Sequence, residues 1–95
     1  MAAYVIVDIR IEDPVGYEDY KKMASQSIAA HGGSYLVRGG AVESLEGGWL
    51  PSRLVLLQFP TAKQAKEWWS SADYALAKKL RRETATAKMI LVEGV

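Results

Sequence analysis

The chain has 95 residues, 49% apolar and 24% charged, which suits one domain with a modest core and is too apolar for a disordered chain. A formal net charge of +1 lacks the basic excess of a nucleic-acid binder, and the absence of cysteine excludes disulfides, thiolate nucleophiles and thiolate metal sites. There is no asparagine to glycosylate and no apolar run near the roughly 20 residues of a membrane span. Met1 to Ile9 has no basic start and meets Asp8 and Arg10 too early for a signal peptide, so a cytoplasmic protein without a membrane partner is expected.

Tyr4 to Ile11 reads as a strand, with Val5, Val7, Ile9 and Ile11 on one face and Tyr4, Ile6, Asp8 and Arg10 on the other. Asp13 and Pro14 then start a helix, as N-cap and first helical residue. Tyr17, Tyr20, Ala24, Ile28 and His31 form its stripe, and Gly32-Gly33 ends it. Ser34 to Arg38 is a second strand. Gly39-Gly40 predicts a bulge or bend, after which Ala41 to Leu45 is expected to resume the strand. Gly47-Gly48 turns the chain. Arg53 to Phe59, almost all apolar, is expected to be a central strand covered on both faces.

Thr61 with Gln64 is a capping box that opens a second helix, whose apolar side carries Ala65, Trp68, Trp69 and Ala72. Ser70 to Asp73 reads as a break recapped by Ser71 or Asp73. The helix then runs to about Glu83, with Leu76 and Leu80 as its core stripe, and Ala87 to Val92 is the last strand. The order β-α-β-β-α-β is the ferredoxin-like α+β pattern: one domain over residues 1–95, with two helices on one face of a four-stranded antiparallel sheet.

That pattern leaves the other sheet face bare. Four strands about 4.8 Å apart and about 17 Å long present roughly 300 Å². If half of that is apolar, exposure forgoes about 4 kcal/mol, a large share of a domain's stability. A homodimer pairing sheet on sheet would cover this face and leave a cavity with Asp8 and Arg10 in it or at its rim. A monomer whose 40–52 segment folds over the face is the plainer alternative.

Several stretches carry a family resemblance. Tyr35-Leu36-Val37-Arg38-Gly39-Gly40, Leu45-Glu46-Gly47 with Trp49, Pro51 and Arg53, Phe59-Pro60, Ala65, Trp68, Ser71, Tyr74, Arg81 and Val92-Glu93-Gly94 together resemble the domain-of-unknown-function 1330 family over almost the whole chain. The resemblance implies a dimeric α+β barrel related to small monooxygenases and isomerases, and it implies no reaction and no catalytic residues. Ala72 departs from the pattern, in which proline is common.

The candidate site residues each have a plain structural reading beside the functional one. His31, the one histidine, is a candidate acid or base, or a helix-end residue bonded to backbone. Arg38, before two glycines, offers a fork to a carboxylate or phosphate, or pairs with Glu43 or Asp8. Tyr74 and Arg81, seven apart on a helix, could donate to a substrate oxygen and hold an anion, or be a core-edge tyrosine and a helix-end arginine. Trp69 or Trp68 lines a pocket while the other fills the core, and Trp49 covers a pocket or packs on its own loop. No cofactor or metal is expected, since nucleotide-loop, zinc-protease, serine-elbow and Cys-His patterns are all missing. The expected function is a pocket for a small anionic or carbonyl-containing molecule, with cofactor-free proton transfer as its chemistry. The competing readings are a cofactor-independent monooxygenase and a non-catalytic module binding a metabolite or a protein.

Overall fold

A computed structural model describes all residues, 1–95. The elements are β1 (Ala3–Ile11), α1 (Pro14–Ala30), β2 (Ser34–Arg38), β3 (Leu54–Phe59), α2 (Ala62–Trp69), α3 (Ala72–Thr84) and β4 (Ala85–Glu93). The sheet order is β2-β3-β1-β4 with every neighbouring pair antiparallel, so each helical crossover skips one strand, as in a ferredoxin-like fold. No helix is long and apolar enough to cross a membrane.

Local chemistry explains the ends of the elements. The Asp13 carboxylate accepts from the Gly16 amide at 3.2 Å, and Pro14 takes the first helical position. Gly32, at φ 78°, lets the chain leave α1 with its own amide on Ala29 and that of Gly33 on Ile28. Thr61 caps α2 through the Gln64 amide. The expected break falls at Ser70–Ser71, and the cap is Ser71, whose hydroxyl accepts from the Tyr74 amide at 3.2 Å and donates to the Trp68 carbonyl at 2.8 Å. The second helical segment is therefore two helices, and the layer holds three.

The helices cover one face. Val5, Val7 and Ile9 of β1, Val55, Leu57 and Phe59 of β3, and Tyr17, Tyr20, Ala24 and Ile28 of α1 meet in the core with Trp68, Tyr74 and Ala77. Trp68 is the hub: its ring centroid lies 4.2 Å from that of Tyr74 and 5.5 Å from that of Phe59. Its Nε1–H donates to Ser27 Oγ at 3.0 Å, and that hydroxyl donates to the Ala24 carbonyl at 2.9 Å, so these two buried polar side chains are paired.

Three expectations need correction. β3 alternates buried and half-buried residues, because helices cover only one of its faces. Ala41 to Leu45 forms no strand, since nothing extends β3 to pair with it. The bend expected at Gly39-Gly40 is present, with Gly39 at φ 73°, and β2 has a further irregularity at Leu36, where the pairing slips between Tyr35 and Val37. On α3 the buried stripe is Tyr74, Ala77, Arg81 and Thr84, while Leu80 is half-buried and Leu76 is 69% exposed. Packing Tyr74 onto Trp68 turns the helix so that small Ala77, not Leu76, faces inward.

The other sheet face carries Tyr4, Ile6, Leu54, Leu56, Ile90 and Val92, with Asp8, Arg10 and Lys88 toward one end. No element covers it, and the Cα trace is a slab of 37 × 36 × 16 Å. The segment from Gly39 to Arg53 does not fill the gap with its large side chains: Leu45, Trp49 and Leu50 are all exposed.

Candidate functional site

The α2–α3 junction is forced close to β4 by the Trp68 anchor, and this opens a groove along the β4 edge. One part, about 250 Å³, has walls from Val5, Ala65, Trp68, Met89 and Leu91 with Lys66 at its mouth. The next part, about 380 Å³, is bounded by Arg81, Arg82, Ala85, Thr86 and Ala87. Trp69 and Met89 are walls of both parts, so the apolar stretch leads to the arginines. Together these volumes are of ligand-pocket size.

Arg81 is the unusual residue. It is 5% exposed and has no carboxylate within 4.0 Å, the only two ion pairs being Lys21–Glu18 and His31–Asp73. Its one side-chain hydrogen bond runs from Nε to the Tyr74 hydroxyl at 3.4 Å, which leaves the outer edge of the fork free at the cavity. Buried charges are ordinarily paired, because desolvating a lone one is costly. Trp69 and Lys78 add to the local field: Arg81 Cζ lies 5.9 Å and Lys78 Nζ 3.9 Å from the Trp69 ring centroid. Desolvation, then the nearby Arg82 and Arg81 charges, hold the Lys78 pKa below its usual value.

Tyr74 is fully buried behind this groove and does not line it. Its hydroxyl meets that of Tyr20 at 2.9 Å. Burial pushes the Tyr20 pKa well up, and the neighbouring Tyr74 adds to this, so Tyr20 remains neutral, and the pair holds Arg81 Nε in place. Tyr74 thus positions Arg81 where sequence reasoning gave it a substrate contact.

The other expected residues are dispersed. His31 caps α1 from outside: Nδ1–H donates to the Ser27 carbonyl at 2.9 Å and Nε2 lies 4.0 Å from Asp73, in a cleft with Gln64 and Glu67. Arg38 is at the opposite edge of the sheet, its Nη2 donating to Ser25 Oγ at 3.1 Å, with neither Glu43 nor Asp8 as ion partner. Asp8 and Arg10 line a shallow hollow of about 210 Å³ with Lys88 on the bare face, and Trp49 stands exposed. The structure therefore joins Trp69 with Arg81, places Tyr74 behind them, and separates all three from His31 and Arg38. Sequence reasoning missed Met89, which only the pairing of β4 with β1 brings beside α2 and α3. No group of three or more acidic or histidine side chains is placed to hold a metal.

Residues 2–95 match the family described as a domain of unknown function, DUF1330. The chain belongs to this family. Curated proteins include no match to this DUF1330 sequence. Its fold is that of several solved structures. A Rhodopseudomonas palustris protein of unknown function shares 16% identity at a TM-score of 0.77, over 99% of this chain and 82% of that one. A dimeric ferredoxin-like protein of unknown function from Thermobifida fusca shares 16% at 0.65, over 99% and 92%. SnoaB, a cofactor-independent oxygenase from Streptomyces nogalater, shares 9% at 0.66, over 99% and 92%. At these identities the likeness is one of fold.

Proposed function

We propose that this DUF1330 chain is a homodimer that binds a small anionic, carbonyl-containing molecule in the groove between α2–α3 and β4. The observation that carries the reading is Arg81, buried without a carboxylate partner and facing a cavity that continues into an apolar groove. A ligand with a carboxylate head and an apolar body matches that sequence of surfaces: the head meets the Arg81 fork and the body lies against Trp69, Met89 and Leu91. The groove's lining has cations and no carboxylate or histidine, so binding is better supported than proton transfer within it.

Dimerisation is supported by the bare apolar sheet face, with Ile90 60% and Val92 43% exposed, and by the exposed Leu45, Trp49 and Leu50 of the segment between β2 and β3. A second copy buries both at once, toward the roughly 800 Å² per partner of a stable interface. The Asp8, Arg10 and Lys88 hollow then lies at the seam. A second reading, a cofactor-independent oxygenase, is favoured by the likeness to SnoaB together with the tryptophan wall beside an anion anchor. In it, Arg81 would hold a phenolate that itself reacts with oxygen.

Tryptophan fluorescence titration with decanoate, decanol and decylamine tests the binding reading, because Trp69 forms the wall. Saturable quenching by decanoate, at least about tenfold tighter than by decylamine and weakened at least about tenfold in Arg81→Met, is expected for a charge-assisted fork. Equal response to all three probes would overturn it. Oxygen uptake with polycyclic phenols tests the second reading, and silence across such a panel counts against it.

A further inference from the structure

A separate cavity lies on the far side of the Trp68 hub, between the sheet and α1. Its volume is about 30 Å³, room for about two waters or one small planar ion. Three cations line it, Lys21, Arg38 and Arg53, and no carboxylate does. Lys21 is already paired with Glu18 at 2.9 Å, whereas neither arginine has a carboxylate within 4.0 Å. Two guanidinium charges therefore stand on an otherwise largely apolar wall without a counter-ion.

Both are held there by local structure. Arg38 stacks over Tyr35, with Cζ 4.5 Å from the ring centroid. Arg53 lies across Gly39, where a Cβ would push its guanidinium aside, and the φ of 73° at Gly39 itself favours glycine. Arg53 Nε is buried and is the one such side-chain atom in the chain without a hydrogen-bond partner. Tyr17 faces the same cavity: burial raises its pKa and Arg53 works against the rise, so at neutral pH its hydroxyl is a neutral donor.

We infer that this cavity is a site for a small planar oxyanion, of formate or bicarbonate size, held between Arg53 and Arg38. Water would pair with Arg53 Nε and leave the charge of half-buried Arg53 uncompensated, whereas an oxyanion answers both needs and is reached by Arg38 from the mouth. The volume excludes anything larger than a few heavy atoms, and the exposed Arg38 marks the mouth. The site shares with the β4 groove only the walls Trp68 and Met89, so it stands apart from the Arg81 reading.

The test is the melting temperature in sodium formate against sodium sulfate at matched ionic strength and fixed protein concentration. Formate is expected to raise Tm along a saturating curve, by at least about 4 °C, and Arg38→Met, at the exposed mouth, and Arg53→Met are each expected to abolish the saturating part. A rise that does not saturate, that sulfate reproduces, or that survives in Arg38→Met would overturn the inference. Because Arg53→Met can lose its fold, a second measurement uses the unaltered protein. The ¹³C line of labelled formate should broaden on adding protein and sharpen again on adding nitrate, and an unbroadened line would overturn the inference equally.

Discussion

Removing the Tyr74 hydroxyl tests how Arg81 is held. In Tyr74→Phe the ring still packs on Trp68 at 4.2 Å, but the Tyr20 hydroxyl loses its only partner, at 2.9 Å, inside the core. An unsatisfied buried hydroxyl costs about 1–3 kcal/mol. The second loss, the 3.4 Å bond from Arg81 Nε, is long and adds little to this cost. About 2 kcal/mol corresponds to a fall in Tm of about 8–16 °C for a domain of this size, which leaves most domains folded at 25 °C. Tyr20→Phe should cost less, because Tyr74 keeps Arg81 as a donor. The double variant Tyr20→Phe/Tyr74→Phe should cost less than the sum of the singles by about 1–2 kcal/mol, since no orphaned hydroxyl remains. Urea unfolding followed by circular dichroism gives all four values. Additivity within about 0.5 kcal/mol would refute the hydroxyl pairing as the reason for the burial of Tyr74.

Alkaline stability should follow Tyr20. Its folded pKa is raised, first by burial, so the folded state keeps a proton that the unfolded chain loses above its ordinary value of 10.0. Stability is then fully present below pH 10 and falls above it by up to about 1.4 kcal/mol per pH unit for this group, and Tyr20→Phe should remove that part of the slope and leave the part due to Tyr17, whose pKa burial also raises, as read by urea midpoints from pH 9 to 11. Lys78 works in the opposite sense, since its lowered folded pKa makes stability rise with pH up to the unfolded value of 10.5; Lys78→Gln should flatten that rise. The unaltered chain is expected to sediment as a dimer, and Ile90→Lys, on the bare sheet face, should give a monomer in sedimentation velocity. An unchanged particle would remove that face from the interface. Gly39→Ala should lower Tm by at least about 4 °C, through the positive φ and the displaced Arg53 together, and an unchanged Tm would contradict the packing at that glycine.

Much of the fold was legible because its signals are local and periodic. The alternation in β1, the Asp13-Pro14 cap, the Gly32 exit and the Thr61 cap each act within a few residues of where they stand. The errors came where tertiary packing decides. Leu76 looks like a core residue on its helix, but the bulk of Tyr74 against Trp68 sets the rotation of α3. The apolar run of β3 suggested cover on both faces, and its other side belongs to the bare sheet face.

The site was legible in its residue types more than in its grouping. Arg81, Tyr74 and Trp69 were picked from one short stretch and do assemble, because they flank a single helix junction. His31 and Arg38 were grouped with them on chemistry alone, and the sheet order puts Arg38 on the opposite edge. Arg53 drew no functional notice, since nothing near it in sequence reveals that its guanidinium lies across Gly39 with Nε buried.

The most direct test of the Arg81 groove is a crystal structure of the chain grown with decanoate. The account predicts a carboxylate on the outer nitrogens of Arg81, with the alkyl chain running past Trp69 and Met89 toward Leu91. Decanoate seated elsewhere, or a side-chain carboxylate occupying the Arg81 fork instead, would contradict it.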